Sequence, residues 1–345
     1  MDFGVGQVFW DIMNSAPFRA VQITAALENV EYVPRLLGSM GEALFPTVPV
    51  RTRSVMIGKR DVGNSLIPVS PLGAPPVELE LRGAKAQTFS THRLAKGSTL
   101  NSEELQGIFQ MPLYKVVPTM QGEIAARATQ IRADMEDTEE HMRLGCVQGI
   151  VLDADGVSVV DNWWLNFGIS PPAVVDFPLD DANANIADAL DDLRVGVWRS
   201  SEGAWIQGQT VLHALAGNTF FKKLFNHPSR RALYINLPQI VQFGEVIPDE
   251  FEFGGVIWHR WMGVAGSPFE IPDDEYRMFP VGMKDCFQRI LAPGEGFEYI
   301  NEAGREQYAI QLVDRDRGWW TRTELYRYPL LACLRPGVLR KGGIS

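Results

Sequence analysis

Two carboxylates spaced by one residue, at the end of an apolar run, are the most chemically suggestive group in this chain: GIVLDADGVSV, with Asp153, Asp155 and Gly156. Carboxylates can act as nucleophiles toward phosphorus and as proton carriers for a leaving group. That chemistry also needs Mg²⁺, further acidic residues and a Lys or Arg to offset phosphate charge. Asp-x-Asp-Gly is equally the composition of a polar hairpin turn. It is too short for a complete calcium loop, since no carboxylate closes it at the twelfth position. The five histidines (His92, His141, His213, His227, His259) lack the i, i+4 partner of a helical metal site. They read as surface or satisfied core residues. Asp188, Asp191 and Asp192 could form a glycosidase pair but suit a solvated helix face better. Gly38-Ser39-Met40-Gly41 lacks the spacing of a nucleophile elbow, and no glycine-rich phosphate cradle occurs. Trp163-Trp164 and Trp319-Trp320 read as core or interface aromatics rather than a ligand platform. No active site, cofactor or metal is expected.

The elements that carry these residues belong to an ordinary globular chain. At 345 residues it can bury roughly three quarters of its unfolded surface. It is 46% apolar and 21% charged, with no low-complexity tract. Lys+Arg 32 against Asp+Glu 42 gives a net charge of −10, which argues against a nucleic-acid binder working through a continuous basic face. Cys146, Cys286 and Cys333 are far apart and form no C-x-x-C pair, so a disulfide framework or zinc site is not expected. No run of 18 apolar residues marks a membrane span, and the amino terminus does not read as a signal peptide. A soluble protein made inside the cell is the expectation.

Residues 1–45 read as an irregular arm with short helical pieces. Residues 50–94 read as two extended arms joined by a tip holding Pro68, Pro71, Pro75 and Pro76. TRSVMIGKRDVG is β-rich and turns polar at Lys59, Arg60 and Asp61, while VELELR alternates with the period of a half-buried strand. At ~3.3 Å per residue such arms reach tens of ångströms. A two-stranded ribbon is marginal alone and must lie on its own body or on a neighbouring subunit. Residues 120–149 are the clearest helix: Ile124, Ala128, Ile131, Met135 and Met142 form one stripe, and Gly149 is its stop. Glu123, Arg127, Arg132, Glu136, Glu139, Glu140 and Arg143 fill the other faces, so the pattern predicts a surface rod of ~45 Å packed by one stripe. Further on, IVLDADGVSVV predicts strand, turn and strand. Ile186, Leu190, Leu193 and Val197 predict a helix, and Leu212, Ala216, Phe220 and Leu224 another. RALYINL, FEFGGVIWHRWMG and QYAIQLVDRD are strand-like. The class is α+β, without repeats or a Gly/Ser linker.

Four parts of the chain together resemble the lambda-like major capsid protein E family of tailed phages. These are the stretch from Ile23 through the ribbon to its Gly-Ala-Pro-Pro tip, and the long helix running into MRLGCVQGIVLDADGV. The others are MFPVGMKDCFQRILAPGEG, with Phe279, Pro280, Gly282, Phe287, Ala292 and Pro293, and YPLLACLRPGVLRKG, with Arg335, Pro336, Val338 and Leu339. Order and spacing carry the resemblance, which spans about Ile23 to Leu339.

It implies the tailed-phage major capsid fold of the Hong Kong 97 type, and a structural subunit of an icosahedral head shell rather than an enzyme. Mapped here, 1–49 is the N-terminal arm and lead-in to the peripheral domain, and 50–94 the extended loop. Residues 95–199 are the peripheral domain with a spine helix at about 120–149, 200–315 the axial domain, and 316–345 the return. The loop residues Lys59, Arg60, Asp61, Pro68, Pro71, Pro75 and Pro76 are then intersubunit, the prolines limiting stray strand pairing. The implied partners are other copies in hexamers and pentamers, a separate scaffolding protein, a portal and a decoration protein. DNA is contacted only non-specifically and no membrane is involved. The stretch before Ile23 is too short for a fused scaffolding segment. Localisation is the virion, after assembly in the bacterial cytoplasm. The alternatives are a haloacid-dehalogenase-like phosphatase using Asp153 and Asp155, and a related non-viral compartment shell.

Overall fold

The computed structural model describes residues 36–59, 85–106, 113–234, 247–261, 263 and 269–345. Two short helices, α1 (Leu36–Ser39) and α2 (Gly41–Leu44), lead into β1 (Thr47–Pro49). The ribbon follows: β2 (Ser54–Lys59) pairs antiparallel with β3 (Lys85–Ser90), in register from Ser54↔Ser90 to Lys59↔Lys85. After β4 (Leu94–Asn101) and α3 (Ser102–Gln106) comes the long helix α4, Leu113–Gln148, which starts well ahead of the apolar stripe. All five stripe residues are buried, and Ala128, Ile131 and Met135 pack with Ala309 and Leu325.

The long helix is not the surface rod its charge pattern predicts. From Ile131 to Val147 it is buried nearly all round, and Arg132, Glu136, Glu139, Glu140 and Arg143 lie inside with the apolar residues. The helix is central because strands from distant parts of the chain cover its polar faces and bring the opposite charges with them. Gly149 ends it at φ +86°, a left-handed stop that a side chain would strain.

A tight hairpin follows, β5 (Ile150–Leu152) and β6 (Val159–Asn162), then α5 (Trp163–Phe167) and α6 (Ile186–Ser200). Ile186, Leu190, Leu193 and Val197 form the buried face of α6, as their spacing predicts. The next prediction fails. Val211–Ala216 is strand β7, and only Asn218–Asn226 (α7) is helical. Gly217 separates them. β7 is the middle strand of a five-stranded sheet and is buried among its neighbours, so no polar alternation betrays it. RALYINL is also misread at its start: Pro228–Tyr234 is helix α8, and the remainder lies outside the described residues.

β8 (Glu250–Phe253) and β9 (Val256–Arg260) are the expected strands, joined by Gly254 and Gly255, both at positive φ as a tight hairpin requires. Then come β10 (Glu275–Val281), β11 (Phe287–Leu291), β12 (Tyr308–Val313), β13 (Trp320–Arg327), β14 (Pro329–Cys333) and β15 (Arg340–Gly343). The large sheet has the order β15-β10-β7-β9-β8. Two three-stranded sheets, β1-β11-β14 and β12-β13-β4, complete the frame. One aromatic-rich cluster joins α6, α7 and the large sheet, with Phe177, Phe220, Trp258 and Tyr276 fully buried.

Candidate assembly interface

The ribbon has an inner and an outer face. Phe89 is buried on Trp163 at 5.2 Å, and Val55 and Ile57 pack on the same core. On the outer face Met56 is 72% exposed. The strand period puts alternate residues on opposite faces, so the first half of the ribbon rests on its own body and leaves its outer face bare. Lys59 ends β2, opposite Lys85. Arg60, Asp61, Pro68, Pro71, Pro75, Pro76 and the VELELR segment lie outside the described residues, as do the aromatic and aliphatic residues of 1–35.

Behind the ribbon, the long helix is tied in by a buried ionic network. Arg327 of β13 donates to Glu139 (2.9 Å), Glu136 (2.5 Å) and Gln307 (3.1 Å). Arg289 of β11 donates to Glu139 at 2.7 Å, and Arg143 does so at 3.0 Å. Glu140 accepts the backbone N–H groups of Leu37 and Gly38 at 2.8 and 2.9 Å, fastening α1. Burial alone would raise the Glu139 carboxyl; the guanidiniums of Arg289, Arg327 and Arg143 outweigh it and hold the group at about 2. Burial likewise opposes the charge on Arg327, and Glu139 and Glu136 more than restore it. A buried charge keeps its charge only when paired this way. The network therefore joins the helix to two sheets and to the start of the ribbon's support. Sequence reasoning missed it. The available signal was a lone arginine within apolar strands, FQRIL and ELYRYPLLAC.

The carboxylates of GIVLDADGVSV serve their own turn. Asp155 accepts from the N–H groups of Val157 and Ser158 at 2.9 and 2.8 Å and from the Ser158 hydroxyl at 2.5 Å, all within one exposed hairpin. Asp153 accepts from the N–H of Ala154. The turn chemistry thus accounts for both residues. Among the described residues no three His, Cys, Asp or Glu side chains are placed to hold a metal ion, and no helix is long and apolar enough to cross a membrane.

His213 and His259 stack on neighbouring strands, with rings 5.1 Å apart and 8° from parallel, and share a 2.8 Å hydrogen bond. Burial, then the neighbouring ring, pushes His213 down to about 4. His259 also meets Glu250 at 3.1 Å. His92 pairs with Asp161 at 2.7 Å. These are satisfied histidines, as expected. Trp163 and Trp164 are core, whereas Trp319 is 58% exposed and Trp320 lies partly open beside it.

A ribbon, a central long helix and interleaved sheets make up one α+β fold. The same fold is found in a prophage protein of E. coli CFT073 described as a capsid protein, at a TM-score of 0.55 and 12% identity, covering 94% of this chain and 99% of that one. The chain belongs to the family described as Phage major capsid protein E, which matches residues 19–344. It is similar to the major capsid protein of Salmonella phage Felix O1, 22% identical over 90% of this chain and 93% of the relative. It is also similar to that of Pseudomonas phage KPP10, 27% identical over 44% of this chain and 47% of the relative. The chain is thus a structural protein of the phage head, self-assembling into a shell and located in the virion.

Proposed function

We propose that residues 50–94 form the arm by which one subunit grips another, and that Lys59, Arg60, Asp61, Pro68, Pro71, Pro75 and Pro76 act at that junction. The outer face of β2, with Met56 in water, carries the reading. Its inner face is already covered by the chain's own core, so the bare outer face is the surface left for a further partner. In a shell of identical chains the nearest such partner is another copy. Subunits close into hexamers and pentamers, with 95–199 peripheral, about 200–315 axial around the ring centres and 316–345 the return. The role is architectural, without catalysis or cofactor. A separate scaffolding protein, a portal and a decoration protein complete the head, assembled in the bacterial cytoplasm around DNA held without sequence preference.

Electron microscopy of the chain produced with its neighbouring gene products tests this. Deleting 64–76 should abolish uniform closed shells while leaving a folded subunit; Asp153→Asn should assemble as the parent does. Normal shells from the deletion variant would overturn the assignment of the arm.

A further inference from the structure

The turn after β11 presents an apolar point beside the root of the ribbon. Phe297 is 94% exposed and Ile300 67% exposed, at either end of one 3-10 turn, Phe297–Tyr299. Tyr299 points inward and is buried. Its ring meets Tyr308 at 4.7 Å, and Tyr308 meets Tyr328 at 5.9 Å. Arg53, just before β2, lies over the Tyr328 ring at 5.2 Å, and Arg93, just before β4, lies over Tyr326 at 5.0 Å. Both guanidiniums converge on Glu295, at 3.6 and 3.0 Å. The backbone joins the same parts: Gly304 donates to the Val50 carbonyl at 2.8 Å, and Thr91 to that of Arg53 at 2.9 Å. The apolar point and both roots of the ribbon thus share one tyrosine column and one carboxylate.

Single exposed apolar side chains are ordinary on a protein surface. This pair differs because it projects from one turn whose rigid backing is also the ribbon's anchor. It has the composition of an interface centre, an aromatic anchor with a polar rim, here Glu295, Glu298, Glu302 and Arg305. We propose that the 295–300 turn is a second contact between copies of this chain, seated on a neighbouring subunit, with Glu295 holding turn and ribbon in a fixed relation so that both engage together. The inference rests on the reading of the ribbon as an intersubunit arm. The occupant is another copy because the turn continues the ribbon's own anchorage and the chain assembles into a shell with copies of itself.

Single-cysteine probes separate the two claims. Phe297→Cys and Met56→Cys are each introduced into the full chain and treated with a small maleimide, as free subunits and as assembled shells. Cys146, Cys286 and Cys333 are buried and contribute little background. Both new thiols should react freely in subunits, and assembly should slow the one at 297 by roughly tenfold or more. A rate at 297 unchanged by assembly overturns the contact, as does protection that arises only when a decoration protein or DNA is added. Protection at 56 with an open 297 overturns this contact and leaves the ribbon reading standing; protection at 297 with an open 56 does the reverse. If Phe297→Cys does not assemble, Ile300→Cys is judged by the same rates. If neither assembles although both subunits melt like the parent, the turn is needed for assembly and the contact is supported.

Discussion

Glu139 is the residue on which the central helix depends. It has no exposed surface and lies between the guanidiniums of Arg143, Arg289 and Arg327. Removing Arg327 leaves Glu139 with two guanidiniums in place of three and takes a buried partner away from Glu136. Arg327→Met should therefore destabilise the unassembled subunit by about 3–5 kcal/mol, read from the denaturant midpoint. Acid should reveal the same group. The folded carboxyl titrates at about 2 against a usual 4.5, so the unfolded chain takes up the proton first as pH falls. Its contribution, on the order of 3 kcal/mol, is complete above the usual carboxylate range and lost progressively toward the folded value. In Glu139→Gln the acid limb of stability against pH should be flatter between those limits. An unchanged limb would mean that another group dominates acid unfolding.

At the scale of elements, the junction of α4 and the β5–β6 hairpin is set by Gly149. A Cβ there would lie 2.3 Å from Trp164 Nε1, in addition to the cost of positive φ. Gly41 also has positive φ, but a Cβ at that position would meet nothing within 4 Å. Comparing Gly149→Ala with Gly41→Ala by thermal unfolding separates the two effects. The first should lose about 2–4 kcal/mol and the second about 1. Equal losses would show that Trp164 yields and packing there is soft. The same junction shows what pattern conveys. Gly149 was legible as a helix stop because the stop is a local event. β7 was not, because Leu212 and Ala216 happen to fall on a helical spacing with Phe220 and Leu224 while the buried strand lacks polar alternation.

Across the whole molecule, residues far apart in sequence meet in one interior. Cys146, Cys286 and Cys333 are all buried and outside any disulfide, and burial pushes the Cys146 and Cys286 thiols well up. A thiolate there would be charge without solvent, so the native subunit should not react with a thiol reagent on the timescale of an exposed cysteine. All three should react together on unfolding. A fast native phase would mean that the interior opens locally at one of these three cysteines.

Local pattern alone carried the first ribbon strand, the stripe of the long helix, the Asp-Gly turn and the helix at 186–200. Each depends on residues within a turn or two of one another, where side-chain period and backbone preference act directly. The interior placement of the helix was decided only by tertiary structure. Glu139 and Arg327 stand 188 positions apart, and Arg53, Arg93 and Glu295 come from three separate segments. A charged residue has the same local signature in water and beside a buried partner. Which of the two holds is set when distant strands close over it, excluding water and supplying the opposite charge.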